Sequence, residues 1–142
     1  MSTSAASVAT PWTRGKYLGI AVAASVAHMA MMIPGYNENG DFDTTGYLSV
    51  FLVSLVMSGL VFTFIVPRGG AVAALVLSLV ALASVLIFWA GLTLPFAAAG
   101  AVAAWRARQA GDRAGMATAA LALSVVAAVA LVAIIIGDAT SN

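Results

Sequence analysis

Long apolar runs alternate along this chain with a few short, strongly polar interruptions. The runs cover 17–33, 47–66, 71–90 and 116–136, with a shorter one at 92–107 between the last two. None of them alternates polar and apolar residues at every second position, as barrel strands do. Continuous apolarity near 20 residues matches a hydrocarbon core of about 30 Å, and in lipid only helices or closed barrels satisfy every backbone group. The pattern therefore predicts helices. Pro34-Gly35 and Pro67-Arg68-Gly69-Gly70 terminate the first two runs, since proline lacks the amide donor and glycine tolerates turn dihedrals. Thr44 or Thr45 is placed to cap the second helix.

The stretch 71–105 carries no charge and is too long for one span. It divides into a helix at 71–90, anchored at an interface by Phe88 and Trp89, a tight turn at Gly91-Leu92-Thr93-Leu94-Pro95, and a return segment at 92–107. From Leu92 to Trp105 a helix rises only ~21 Å. That segment is either a short span helped by snorkelling arginines and local thinning, or a re-entrant half-helix.

Composition fixes the solvent. The chain is 63% hydrophobic and 8% charged, against roughly 25% charged in soluble domains. A globule of 142 residues hides only about two-thirds of its surface, so the remaining apolar area must meet lipid or protein. The net charge of +1 excludes a field that would draw in nucleic acid. The absence of cysteine excludes disulfides, thiolate metal sites and a cysteine nucleophile.

Charge then sets the topology. Cytoplasmic loops are enriched in Lys and Arg. With five spans and the N-terminus inside, Arg14, Lys16, Arg68, Arg106, Arg108 and Arg113 all face the cytoplasm, and Glu38, Asp41, Asp43 and Asp138 all face out. Four spans would export the Arg106–Arg113 turn against the rule. The expectation is an all-α, polytopic transmembrane helical bundle of five spans rather than four, multi-pass in the inner (plasma) membrane. It has a cytoplasmic tail at 1–16, one transmembrane domain at 17–137 and a C-terminal tail at 138–142. Arg14 and Lys16 before an apolar stretch, with Ser25-Val26-Ala27 beyond it, have the order of a signal peptide. The apolar run continues past that box to Ile33, so it reads as a span.

Few residues carry candidate chemistry. His28 is the only histidine and falls inside the first span, where an ionisable group is a relay or ligand by default, or else an imidazole bonded to a neighbouring helix. Without a partner carboxylate in any span it builds no intramolecular haem or zinc site. The loop holding Glu38, Asp41 and Asp43 is a solvated turn or a docking surface. Its spacing lacks the glycine and bidentate glutamate of a calcium loop. Arg106, Arg108 and Arg113 read as a lipid-facing anchor, too few for specific recognition of acidic headgroups. Small residues recur four apart at Gly19, Ala23 and Ala27, at Ser54 and Ser58, at Gly100 and Ala104, and at Ala120, Ser124 and Ala128. That spacing lets helices approach closely and serines bond across them. No dinucleotide fingerprint, Walker lysine or Ser-His-Asp set is present. No enzyme activity, cofactor or metal is expected.

The segment 100–121, GAVAAWRARQAGDRAGMATAAL, resembles a recurring stretch in small actinobacterial multi-pass membrane proteins of unknown function. Their pattern is Gly-His-x-Ala, an arginine-rich turn, then Gly-Arg-Gly-Met/Leu-Ala. Here Ala101 replaces the histidine, and Asp112-Arg113 stands where the first glycine of the pair belongs. The resemblance implies a membrane-resident module and no particular activity. The leading expectation is a non-enzymatic accessory or scaffold subunit whose partners are the lipid bilayer and another membrane protein or itself. The alternative is a small transporter or channel component acting as an oligomer.

Overall fold

In the computed structural model, which describes residues 12–36 and 43–141, the chain is all helix, with no strand among the described residues. Helix α1 spans Arg14–Met32 and begins before its apolar run because Thr13 caps it, Oγ1 accepting from the Lys16 amide at 3.4 Å. A 3-10 turn over Ile33–Tyr36 carries it through Pro34. Helix α2, Thr44–Leu60, is capped by Asp43, whose Oδ1 accepts from the Gly46 amide at 2.9 Å. The cap thus sits one residue before the threonines: a carboxylate at that position both accepts the amide and meets the helix dipole. A π turn over Val61–Ile65 extends α2, and the amides of Arg68 and Gly69 close it on the Ile65 carbonyl.

Helix α3, Ala71–Ser84, tightens into a 3-10 stretch over Val85–Ala90 that breaks at Ile87 (φ −122°, ψ 45°). Gly91 then takes φ 70°, a left-handed conformation that costs glycine nothing. The turn therefore lies earlier than 91–95. Thr93, Leu94 and Pro95 already belong to helix α4, Thr93–Gln109, where a proline in the first turn sacrifices no helical bond. Helix α4 ends at Gly111 (φ 72°), with Asp112 N–H on the Ala107 carbonyl at 2.9 Å and Gly111 N–H on the Arg108 carbonyl at 3.1 Å. This paired arrangement satisfies carbonyls that a helix end leaves open. Helix α5 runs Ala114–Ser141, past the end of its apolar run.

Successive helices alternate in direction. Helices α3, α4 and α5 pack on one another along their lengths, and α1 lies against α2 and α4. Helix α4 is the hub, its face of Ala97, Ala99, Gly100, Ala103 and Ala104 buried among its neighbours. Without a hydrophobic drive between helices in lipid, such small residues gain association through close van der Waals contact. Outward, α2 shows the exposed stripe Leu52, Val56, Leu60 and Phe64, and α5 shows Val125, Val129, Val132 and Ile136. Three helices, Thr44–Ile65, Ala71–Ala90 and Ala114–Asp138, are long and apolar enough to cross a membrane. Helix α4, at 17 residues, rises ~26 Å.

The alternation gives the bundle two poles. One gathers the N-terminal ends of α1, α3 and α5 with the C-terminal ends of α2 and α4, and it holds all six Lys/Arg with Asp112. The opposite pole holds Asp43, Asp138 and the α3–α4 turn.

Candidate functional site

His28 is fully buried on the inner face of α1. Its Nδ1 accepts the Leu94 amide at 3.2 Å, so the proton resides on Nε2, which donates to the Phe88 carbonyl at 3.0 Å. One imidazole thus bridges the two sides of the α3–α4 turn. Ser54 of α2 donates to the Gly91 carbonyl at 2.6 Å within the same turn. Behind it, the Ser84 hydroxyl lies 3.1 Å from Thr93 Oγ1 and 2.7 Å from the Ala81 carbonyl. The 3-10 stretch and the left-handed glycine leave backbone groups without helical partners, and side chains from two other helices supply them. The clasp holds fixed positions; in it the imidazole has no nitrogen left to pass a proton or bind a ligand.

Other buried hydroxyls act similarly. Ser58 donates to the Ala21 carbonyl at 3.2 Å, tying α2 to α1. Ser78 lies 2.8 Å from both the Ala120 carbonyl and Ser124 Oγ, tying α3 to α5. Gly100 of α4 presses on this pair: a Cβ there would lie 2.5 Å from Ser78 Oγ and 2.7 Å from Ser124 Oγ. Ser25 Oγ is the exception, buried without a hydrogen-bond partner among the described residues.

At the basic pole the three arginines separate. Arg106, grouped by sequence with a lipid-facing anchor, is half-buried; its Nη1 donates to the Val66 carbonyl at 2.8 Å and its guanidinium lies 5.6 Å from the Tyr17 ring centroid. It joins α4 to the end of α2 and the start of α1. Arg108 and Arg113 are exposed, and Arg113 takes φ 43°. Asp112 Oδ2 accepts the Ala71 amide at 2.8 Å, capping α3 from the α4–α5 turn. Arg68 reaches back to the carbonyls of Phe64 and Thr63 at 3.2 and 3.4 Å. Of the acidic-loop candidates, Asp43 is the exposed cap of α2, while Glu38 and Asp41 lie outside the described residues.

Sequence reasoning missed the partners of Ser54, Arg106 and Asp112. The Gly91-Leu92-Thr93-Leu94-Pro95 stretch signalled a turn, yet nothing in it named the serine that would meet the Gly91 carbonyl. The fold and its three long apolar helices define an all-helical membrane protein. No protein-family model, curated protein or solved structure matches the chain.

Proposed function

We propose that this chain is a non-enzymatic accessory or scaffold subunit of a plasma-membrane assembly, crossing the bilayer five times with its N-terminus in the cytoplasm. The observation that carries this reading is the use of the interior polar groups: His28, Ser54, Ser58, Ser78 and Ser84 all bond the protein's own backbone. A transporter would line a path with polar groups free to meet its cargo. Here they rigidify turns and helix pairs instead, beneath an outer surface rich in exposed valine and leucine.

Five passes are supported by the alternation of the helices with the segregation of charge. Six cations at one pole and Asp43 and Asp138 at the other follow the positive-inside rule. Helix α4 is short and less apolar than its neighbours, yet α1, α3 and α5 cover it, so little of its surface needs to suit lipid. Two experiments test the reading. Cysteines introduced at Lys16 and Arg108 should react from the cytoplasmic side, and those at Asp43 and Asp138 from outside; an external Arg108→Cys label refutes the topology. Mild-detergent purification should retain one other membrane protein at constant molar ratio. Isolation as a lone monomer refutes the subunit role.

A further inference from the structure

The basic pole contains a cleft of about 490 Å³ between the start of α1 and the end of α2, lined in part by Trp12, Arg14, Tyr17, Phe62, Phe64 and Arg68. Its chemistry is two-sided. Arg14 is exposed, and its guanidinium has no hydrogen-bond or ion-pair partner among the described residues. Arg68 sits across the cleft, held by the Phe64 carbonyl at 3.2 Å through a single Nη1 and 5.7 Å from the Phe64 ring centroid. The wall is aromatic: Phe62 is wholly buried, and Phe64, 55% exposed, continues directly into the outward apolar stripe of α2.

Among the described residues, this pole holds no free counter-ion for these two cations. Asp112, the one acid there among the described residues, is engaged at the Ala71 amide. Asp43 and Asp138 stand at the opposite pole, and Glu38 and Asp41 lie outside the described residues. Residues 1–11, which precede the cleft in sequence, contain no acid. Among the described residues no carboxylate pairs with either guanidinium, which leaves both open to an anion from outside the chain. Guanidinium groups present several donors suited to phosphate oxygens. A cleft with cations above and an open apolar side below fits a phosphate that carries hydrocarbon better than one that does not.

We infer that this cleft binds the headgroup phosphate of an anionic phospholipid, Arg14 and Arg68 meeting its oxygens and Phe64 meeting its acyl chains. The inference rests on the membrane placement above and is independent of the subunit role. It is tested on the purified full-length chain in mild detergent by native mass spectrometry, titrating phosphatidylglycerol, phosphatidylcholine or inorganic phosphate. Phosphatidylglycerol should bind in preference to phosphatidylcholine, and equimolar inorganic phosphate should not displace it. Arg14→Gln with Arg68→Gln should weaken that binding about thirtyfold, as the loss of two basic contacts predicts. The charge-matched pair Lys16→Gln with Arg113→Gln should leave it within about threefold. Because Arg68 also caps α2, Arg14→Gln alone provides a variant without that structural role and should weaken binding by about fivefold. Equal binding of the two lipids, equal loss in both double variants, or displacement by inorganic phosphate would each overturn the assignment.

Discussion

Gly100 offers the sharpest test of how the three-helix unit is built. A methyl group at this position would meet Ser78 Oγ at 2.5 Å, Ser124 Oγ at 2.7 Å and the Ser78 backbone nitrogen at 3.1 Å. The hydroxyls can rotate away only by giving up the contacts that join α3 to α5. Overpacking of this kind costs about 1–3 kcal/mol, and hydrogen bonds between membrane helices contribute about 0.6 kcal/mol each. Alanine's better helix propensity returns at most about 1 kcal/mol. Gly100→Ala should therefore destabilise the protein by about 2 kcal/mol, read from reversible SDS titration in mixed micelles. Gly59→Ala in α2, where an added Cβ meets nothing within 4 Å, should be neutral or stabilising by up to about 1 kcal/mol. The decisive variant is Ser78→Ala with Gly100→Ala. Removing one hydroxyl makes room for the methyl, so the double variant should be more stable than the sum of the single effects by about 1 kcal/mol. Strict additivity, or a Gly100→Ala variant as stable as the parent, would refute the close approach of α4 to the serine pair.

Four further outcomes follow from the same structure. His28→Ala should cost about 1–3 kcal/mol, because it leaves the Leu94 amide without its partner and the Phe88 carbonyl with the Gly91 amide alone, and hydrogen exchange at Leu94 should accelerate measurably. Arg106→Ala should destabilise by about 1–3 kcal/mol through its bond to the Val66 carbonyl, whereas the exposed Arg108→Ala should stay within about 0.5 kcal/mol, both by thermal melting in detergent. Asp112→Ala should remove the cap on α3 and cost about 1 kcal/mol, with Asp112→Asn recovering part of it. Ser25→Ala should raise stability by about 0.5–1 kcal/mol, since it deletes a buried hydroxyl that bonds nothing among the described residues.

The contrast between Arg106 and Arg108 shows where sequence information stops. Both sit in one arginine-rich turn, and their spacing from the apolar run places them at the same pole. Their two-residue offset rotates them about 200° around a helix of 3.6 residues per turn, so one faces α1 and α2 and the other faces outward. Only knowing which face of α4 its neighbours cover separates them. Asp43 and the threonines after it differ by one and two positions, and cap geometry decides between them. The α3–α4 turn was legible as a break, but its placement was not. Gly91 marks it, whereas the groups that meet its backbone, His28 and Ser54, arrive from distant parts of the chain to bond Phe88, Leu94 and Gly91.

Taken alone, the sequence determined the all-helical class, the positions of the five apolar runs and the separation of cations from most acids. These follow from local facts: run length, terminator residues and charge order act on each segment separately. The tertiary structure decided which side chain meets which backbone group, that α4 is the shielded hub, and that Arg14 and Arg68 share a cleft. Such pairings depend on helix rotation and on approach distances of a few tenths of an ångström, in a chain so rich in alanine that many alternative seams would look alike until one set of hydroxyls and carbonyls is brought together.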